Sequence, residues 1–269
     1  MAKPIILCFS GADPSGGAGT QADIEAISSM GCHAVTVTTA LTVQNSQGVE
    51  SYQTIEPDYL SAQTRVLIAD MPINVIKTGM LANISAINVV KETIAKKTGI
   101  PVVIDPVMAS NSGNNLSGAG FAKALSETLL PLASIVTPNL PELYKLAPKA
   151  NNLADACGYI SSLGCEYVLV TGTHDNDPSS KDNVFNRLYR GGQLIDEQAW
   201  PRLPGEFHGS GCTLASSIAA LLANKKEVVD AVNAAQDYTW HSLKFAQALG
   251  KGQKHPDRFF WRKNDQPHD

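Results

Sequence analysis

The segment His208-Gly-Ser-Gly-Cys212 places a thiol and two glycines directly before an apolar run that is typical of a helix. Glycines at a helix start expose several backbone N–H groups, and the helix dipole adds partial positive charge, so the segment predicts an anion site. At such a terminus we expect the pKa of Cys212 to be lowered and its thiol to be partly ionised. The alternative is a small cysteine packed at a helix start. The segment lacks the first glycine of a serine-hydrolase elbow and any cysteine-protease signature.

A glycine-rich stretch, residues 11–19, follows the first apolar run of the chain. Within it, Gly17-Ala-Gly-Thr-Gln-Ala22 fits the dinucleotide-binding pattern, but no acidic residue occurs between Glu25 and Glu50 to hold a ribose. A P-loop would need a lysine where Gly17 stands. The remaining functional interpretation is close approach of the backbone to a small ligand, with Asp23 as a hydrogen-bond acceptor. The alternative is a flexible turn between a strand and a helix.

Carboxyl and amide side chains follow two further apolar runs, in the segments Asp105-Pro-Val-Met108 and Thr137-Pro-Asn-Leu-Pro-Glu142. A hard cation such as Mg²⁺ prefers a few oxygen ligands together with water and substrate phosphates. Asp105, Asn139 and Glu142 are candidates for those ligands, largely through water. The alternative is helix capping, because Asn139 and Glu142 have the spacing of a capping box.

The composition of the 269-residue chain indicates a folded protein, since 43% of its residues are apolar and 17% are charged. A formal net charge of -4 argues against a nucleic-acid-binding protein, which would carry a basic surface. The five cysteines include no C-x-x-C pair, so they predict neither a disulfide framework nor a zinc site. Because the sequence shows no signal peptide and no apolar run of ~20 residues, we expect a soluble protein of a reducing cytoplasm with no membrane partner.

Short apolar runs alternate with helical stretches, which predicts an α/β fold with a mainly parallel central sheet and helices on both faces. The predicted strands are 4–10, 33–43, 75–78, 102–104, 134–137 and 167–170, and the predicted helices are 21–30, 58–69, 84–97, 119–129, 153–163, 213–223 and 226–249. Two runs, 186–190 and 193–200, flank Gly191-Gly192 and predict an antiparallel edge hairpin. Trp240 and Phe245 are expected on the packed face of the last helix.

No linker rich in proline, glycine or serine divides the chain, so we predict a single domain over residues 1–269, with an unassigned tail after Gly250. In open sheets of this type, ligands bind beyond the carboxyl ends of the strands. The glycine-rich stretch, Asp105 and Asn139 each come directly after a predicted strand. We therefore expect the functional residues in these loops.

Taken together, these segments resemble the hydroxymethylpyrimidine/phosphomethylpyrimidine kinases of thiamine biosynthesis, which are members of the ribokinase-like superfamily. The resemblance extends over nearly the whole chain and implies a ribokinase-like three-layer sandwich. Its motifs, in the family's order, are Phe9-Ser-Gly-Ala-Asp-Pro-Ser-Gly-Gly-Ala-Gly19, Gln21-Ala-Asp23, Thr39-Ala-Leu-Thr-Val-Gln-Asn45, Lys77-Thr-Gly-Met-Leu81, Asp105-Pro-Val-Met108, Thr137-Pro-Asn-Leu-Pro-Glu142 and Gly209-Ser-Gly-Cys-Thr213. Ribokinase-like sugar kinases usually carry aspartate at the position of Cys212, which argues against a sugar substrate.

The resemblance implies phosphorylation of 4-amino-5-hydroxymethyl-2-methylpyrimidine, and then of its monophosphate, by ATP with Mg²⁺. It also suggests a homodimer. Carried over by motif, the pyrimidine-binding residues are Gly11, Asp23, Gln44, Met80 and Val107; the nucleotide-binding residues are Thr171, Thr173 and Asn139; the anion hole and catalytic position are Gly209, Ser210, Gly211 and Cys212; the Mg²⁺ ligands are Asp105, Asn139 and Glu142. A substrate hydroxyl is a weak nucleophile, so the first step should use Cys212 as proton acceptor, whereas the second step needs none.

Two lysines that are usual in the family are replaced here. Asn111 stands after the Asp-Pro-Val-Met segment, and Thr171-Gly-Thr-His174 stands where the family usually has Lys-Gly-Gly-His. Lys77 and Arg187 are candidates to replace the lost charges. Two other functions remain open at this point: a pyridoxal kinase of the same superfamily, which has a similar Gly-x-Gly-Cys loop, and a non-catalytic binder of pyrimidine or vitamin phosphates.

Overall fold

The computed structural model of the protein describes residues 2–109, 116, 118–172 and 181–264. Within these residues one sheet contains the strands β1 (Ile5–Ala12), β2 (His33–Asn45), β3 (Gly48–Thr54), β4 (Ile73–Thr78), β5 (Val102–Ile104), β6 (Ile135–Val136), β7 (Tyr167–Val170), β8 (Asn183–Arg190) and β9 (Gln193–Pro201). Their order is β3-β2-β1-β4-β5-β6-β7-β8-β9. The neighbouring strands β2, β1, β4, β5, β6 and β7 pair in parallel, and β3, β8 and β9 pair antiparallel at the two edges.

Helices cover both faces of this sheet. They are α1 (Gly19–Ser29), α2 (Pro57–Asp70), α3 (Ile84–Lys96), α4 (Phe121–Thr128), α5 (Leu140–Leu146), α6 (Leu153–Ser162), α7 (Ser210–Ala223) and α8 (Val228–Lys244). Strand β1 shows how two cores form: Leu7 and Phe9 pack into the cluster that includes α2 to α6, whereas Ile6 and Cys8 pack into the cluster that includes α1, α7 and α8. Successive side chains of a strand point to opposite faces, so a continuous apolar run requires helices on both.

The predicted fold class is confirmed: the sheet is mainly parallel, helices lie on both faces, and the hairpin around Gly191-Gly192 forms an antiparallel edge. The sequence did not indicate β3, because its residues, Gly48-Val-Glu-Ser-Tyr-Gln-Thr54, are mostly polar, as suits a strand at the edge of a sheet. Helix α7 begins at Ser210 rather than at Thr213, which places Cys212 inside its first turn. The single domain over residues 1–269 stays a prediction.

The last helix is shorter than predicted, and the chain after it folds back across the loops at the carboxyl ends of the strands. Helix α8 ends at Lys244. Gln247 and His255 then form an antiparallel bridge, and the backbone N–H of Gln253 donates to the carbonyl of Ser46 at 2.8 Å. The expectation for Trp240 and Phe245 was wrong, because Trp240 lines a cleft and Phe245 is exposed. Within the described residues, no helix combines the length and the apolar character that crossing a membrane requires.

Candidate active site

A cleft of about 500 Å³ opens at the carboxyl ends of the parallel strands. This volume lies within the usual range for small-molecule sites. The predicted residues that line it are Gly11, Gln44, Met80, Asp105, Val107, Asn139, Glu142, Thr171, Gly209, Ser210, Gly211 and Cys212. They come from seven separate segments of the chain, and the parallel strand order brings these segments to one edge of the sheet. Thr173, Asn111 and His174 lie outside the described residues.

The start of helix α7 forms one wall of this cleft. Gly209 is its N-cap residue and has φ +73°, a backbone conformation that favours glycine. A Cβ at this position would also overlap the carbonyl oxygen of Gly17 in the glycine-rich stretch. The backbone N–H groups of the first turn, from Ser210 to Cys212, have no preceding carbonyl within the helix to accept them. The local geometry is therefore that of an anion site on a helix terminus.

The pKa of Cys212 differs from the expectation. Burial, and after it the Asp105 carboxylate, raise the pKa of its thiol to about 12, against the opposing charge of Lys77. The prediction of a partly ionised thiol was therefore wrong, because these effects outweigh the field of the helix terminus. The thiol is instead hydrogen-bonded to the Asp105 side chain.

Two carboxyl groups at this end of the cleft are both driven toward the protonated form. Burial raises the pKa of Asp105 to about 6, with Lys77 opposing the shift. Burial, together with the charge of Asp105, also raises the pKa of Glu142 to about 8. Among the described residues, Oδ2 of Asp105 is a buried oxygen without a hydrogen-bond partner. Two carboxylates that destabilise one another, one with an unpartnered oxygen, fit a hard divalent cation.

Asn139 and Glu142 form the capping box that was the alternative to metal binding. The amide oxygen of Asn139 accepts the N–H of Glu142 at 2.9 Å, and Oε2 of Glu142 accepts the N–H of Asn139 at 3.0 Å. The capping interpretation is therefore confirmed. Both residues also line the cleft. Capping uses an oxygen of each residue and so holds both side chains in place, and the carboxyl group of Glu142 suits a divalent cation better than the amide oxygen of Asn139.

Asp23 lies beneath the cleft rather than on its wall. It is fully buried and forms an ion pair with Lys77, whose Nζ is 2.7 Å from Oδ1. Ser10 and Ser216 donate hydrogen bonds to the same carboxylate. Burial lowers the pKa of Lys77, but the negative charges around it, that of Asp23 first, together raise the pKa by more, so the ammonium stays charged. This geometry gives Asp23 a supporting position below the residues that line the cleft.

Asp13 joins the glycine-rich stretch to the segment before α7, a link that the sequence analysis missed. Its carboxylate accepts hydrogen bonds from the backbone N–H groups of Ser15 and Ala18, at 2.8 and 2.7 Å, and from the Ser15 hydroxyl. Nε2 of His208 lies 2.9 Å from Oδ2. Burial alone would raise the pKa of Asp13, but these hydrogen bonds lower it to about 2. The Asp-Pro-Ser sequence of a turn was the available signal.

The two cations proposed to replace the family's lysines are engaged elsewhere. Lys77 pairs with Asp23, and Nε of Arg187 lies 2.6 Å from Oε2 of Glu197. Neither is among the residues that line the cleft. Arg202 is, and it is the one lysine or arginine among the described residues of that lining. It follows β9 directly, a position that the sequence analysis did not examine.

Two tryptophans lie at the other end of the cleft. The ring centroids of Trp200, on β9, and Trp240, on α8, are 6.1 Å apart and both residues line the cavity. Nε1 of Trp240 donates to the carbonyl of Pro201 at 2.9 Å, and Nε1 of Trp200 donates to Oε1 of Gln236 at 3.2 Å. These bonds hold the polar edges of the rings, so that the remaining ring surface is available to a flat ligand.

Comparisons with known proteins agree with this geometry. The model of the family "Phosphomethylpyrimidine kinase" matches residues 13–257. The hydroxymethylpyrimidine/phosphomethylpyrimidine kinase of Salmonella typhimurium is 38% identical over 91% of this chain and 94% of its own length. A bifunctional thiamine biosynthetic enzyme of Arabidopsis thaliana is 34% identical over 97% of this chain, which spans about half (51%) of that relative. The pyridoxal kinase of Bacillus subtilis, solved as an ADP complex, superimposes with a TM-score of 0.85 at 29% identity and covers 98% of this chain and 100% of its own.

Proposed function

The chain belongs to the phosphomethylpyrimidine kinase family, and on that premise we propose that it transfers the γ-phosphoryl group of ATP to 4-amino-5-hydroxymethyl-2-methylpyrimidine and then to its monophosphate. The observation that carries the proposal is that Gln44 and the first turn of α7 line one cavity of about 500 Å³. Gln44 offers a donor and an acceptor to an aminopyrimidine edge. The helix N–H groups suit the phosphoryl group that is transferred.

The pyrimidine end of the cavity has an apolar wall. Met80 packs in a small cluster with Ala40, Val49 and Leu116, and Val107 packs against it. The hydroxyl of Thr39 donates to the carbonyl of Met80, which holds this wall to strand β2. The flat, methylated ring of the pyrimidine would pack against these apolar side chains, and its edge would hydrogen-bond to the Gln44 amide. This pattern, mostly apolar with one polar group for orientation, is usual for small-molecule sites.

The phosphoryl end works by position and charge. Phosphoryl transfer requires little covalent chemistry from the protein, so fixed N–H groups at the site of developing charge supply much of the acceleration. The N–H groups of Ser210, Gly211 and Cys212 are held by the helix itself. We assign them to the transferring group.

The proton of the substrate hydroxyl leaves through Cys212 and Asp105. A thiol with a pKa of about 12 is neutral at pH 7, so it cannot act as a preformed thiolate. Because the thiol is hydrogen-bonded to Asp105, Sγ takes the substrate proton as its own proton passes to the carboxylate. The proton goes to the carboxylate oxygen that accepts the thiol, and the unpartnered Oδ2 of Asp105 is left for a cation. In the second step the nucleophile is a phosphate oxygen that carries no such proton.

Asp105 and Glu142 are the residues that would hold Mg²⁺, with Asn139 beside them. When bound, the ion would neutralise charge on the phosphate oxygens. The unpartnered oxygen of Asp105 and the raised pKa of Glu142 support this assignment. For the nucleotide, we assign Arg202 to the phosphates and Trp200 and Trp240 to the base. Thr171, directly after β7, also lines the cleft and is assigned to the nucleotide. Thr173 is retained from the family motif alone.

Pyridoxal kinase is the second candidate, and the similarity to the Bacillus subtilis enzyme favours it. Both candidate substrates are flat heteroaromatic rings with a hydroxymethyl group, so the anion site serves either. The difference lies at the ring edge, where Gln44 meets an aminopyrimidine in one case and a pyridine in the other. The third candidate, a non-catalytic binder, rests on the two replaced lysines.

A coupled assay for ADP release separates these candidates. We expect release with the hydroxymethylpyrimidine and with its monophosphate, only when Mg²⁺ is present, and much slower release with pyridoxal and pyridoxine. Release with pyridoxal alone would replace the proposal by the second candidate. Thermal stabilisation by the pyrimidine without ADP release would identify a non-catalytic binder.

The proposal includes an assembly and a compartment. On the family resemblance we propose a homodimer, for which light scattering on the purified chain should give twice the monomer mass of 28.6 kDa. We propose a cytoplasmic location, because all five cysteines are free thiols, as suits a reducing compartment. A monomeric mass, or import of a tagged chain into an organelle, would contradict these parts without affecting the kinase assignment.

A further inference from the structure

Arg258 lies in the segment after α8 and is only 2% exposed. Among the fully buried side chains of the described residues it is the largest by volume. Its guanidinium donates three hydrogen bonds to three parts of the chain. Nε donates to the hydroxyl of Thr213 at 2.9 Å, Nη1 to Oε2 of Glu25 at 2.9 Å, and Nη2 to the carbonyl oxygen of Gly17. Glu25 is 42% exposed, so one of these bonds reaches the surface while the other two lie inside.

Two of the three acceptors hold the walls of the anion site. Thr213 is in the first turn of α7, next to Cys212, and its hydroxyl donates onward to the carbonyl of Gly209 at 2.8 Å. Gly17 belongs to the glycine-rich stretch, and its carbonyl oxygen is the atom that a Cβ at Gly209 would overlap. One guanidinium therefore bonds to both sides of the contact between the glycine-rich stretch and the N-cap of α7.

An arginine suits this place better than any other side chain. The guanidinium is planar, permanently charged and presents its N–H donors in a fixed fork, so acceptors bound to it are held at set angles. A lysine has one nitrogen on a flexible stem and does not reproduce the arrangement. Burial of a charge costs stability that a well-packed apolar side chain would not cost. The bonds to Thr213 and Gly17 therefore indicate that Arg258 fixes the relative position of these two segments more than it adds stability.

We propose that Arg258 is a positioning residue for phosphoryl transfer, which sets the angle between the glycine-rich stretch and the first turn of α7. It does not line the cleft in which we place the substrates. It acts through Gly17 and Thr213 on the N–H groups that bind the transferring phosphoryl group. The kinetic test of this role rests on the proposed function, whereas the structural test depends only on the contact between the glycine-rich stretch and α7.

The kinetic test compares Arg258→Met and Arg258→Lys with Arg262→Met. Arg262 lies on the same segment, is exposed and has its guanidinium 4.3 Å from the ring centroid of Phe259, so it controls for loss of charge. We expect kcat per folded molecule to fall about 10- to 100-fold in both Arg258 variants, because misplacing an oxyanion donor should cost less than removing it, which costs about 100- to 1000-fold. The KM for the pyrimidine should change less than about threefold, because its pocket is untouched. Unchanged kcat in folded Arg258→Lys would overturn the proposal.

Amide hydrogen exchange gives a readout that needs no substrate. In Arg258→Met, exchange should accelerate in peptides covering 13–20 and 209–214, and remain as in the wild type in peptides from β4 and β5. Acceleration spread evenly over the chain would reduce Arg258 to a stabilising residue and overturn the proposal. A wild-type chain that releases no ADP would instead refute the proposed function, while the exchange pattern would still decide the role of Arg258.

Discussion

Oδ2 of Asp13 lies 2.9 Å from Nε2 of His208, and this one contact joins two loops that are 195 residues apart in sequence. Asp13 anchors the turn of the glycine-rich stretch, and His208 is followed directly by Gly209, the N-cap of α7. The two loops of the anion site are therefore held together twice, by this pair, of which His208 lines the cleft, and by Arg258, which lies outside the cleft lining.

Replacement of Asp13 by asparagine should make stability less dependent on pH. The pKa of Asp13 is lowered in the folded state to about 2, from an ordinary value of 3.8. A lowered pKa stabilises the folded protein above pH 4, and that stabilisation is lost as the pH falls through about 2. At pH 7 the variant should lose roughly 2 kcal/mol. Urea unfolding at pH 7, 5 and 3 should show the difference from wild type narrowing at low pH, whereas Asp70→Asn, at the exposed end of α2, should differ little throughout.

Replacement of Cys212 by alanine should affect the two phosphorylations unequally. With the hydroxymethyl substrate, kcat should fall about 100-fold, because the path for the hydroxyl proton to Asp105 is lost. With the monophosphate, the change should stay below about threefold, because no such proton is transferred. Each rate is measured with its substrate alone. Equal losses would leave Cys212 with only a geometric role, and Cys157→Ala, in the opposite core, should spare both rates.

Replacement of Gly209 by alanine should disable the anion site. The new Cβ would overlap the carbonyl of Gly17, and the backbone at φ +73° disfavours any side chain. We expect kcat to fall at least about 100-fold, as when a donor of an oxyanion hole is removed. Gly31→Ala is the matched control, since Gly31 has φ +78° but open space around it. It should cost about 1 kcal/mol of stability and no activity. Similar kinetics for both variants would contradict the assignment.

Replacement of Arg202 by methionine should weaken nucleotide binding. A charge-assisted hydrogen bond to a phosphate contributes about 1.5–3 kcal/mol, so the KM for ATP should rise about tenfold or more. The KM for the pyrimidine should stay within about twofold, because Gln44 and Met80 are unchanged. Arg190→Met removes an exposed arginine that pairs with Glu166 and serves as control. An unchanged KM for ATP would place the phosphate contacts elsewhere.

Replacement of Lys77 by methionine should destabilise the fold through its partner. The buried Asp23 carboxylate would lose its ion pair, and an uncompensated buried charge costs about 3–5 kcal/mol. The double variant Lys77→Met with Asp23→Asn should recover part of that loss, because no charge then remains unpaired. Urea unfolding of the wild type and the three variants gives the coupling energy. If the double variant lost as much stability as the two single variants together, the coupling energy would be zero and the ion pair would not stabilise the fold.

Much of the fold could be predicted from local patterns. The apolar runs of β1, β5 and β7 and the periodic helices α3 and α6 follow from residue type and spacing, which act over one or two turns of chain. Strand β3 could not, because a polar edge strand has no such signal. The order of glycines, Asp105, Asn139 and Cys212 also sufficed to predict an anion site at the strand ends and the family to which the chain belongs.

The sequence by itself determined the parallel strands, the antiparallel edge hairpin, the helical layers and the loops that carry the glycines, Asp105, Asn139 and Cys212, because these depend on patterns between near neighbours. Only the tertiary structure decided how those residues shift one another's pKa values and which of them form ion pairs. The thiol of Cys212 is neutral because burial and the Asp105 carboxylate, which comes from another part of the chain, outweigh the opposing charge of Lys77. Asp23 lies beneath the cleft because it is paired there with Lys77. The positions of Arg258 outside the cleft lining and of Arg202 in the cleft likewise follow from the tertiary structure. Burial and Coulomb interactions depend on distance in space, and spacing along the chain carries no measure of that distance.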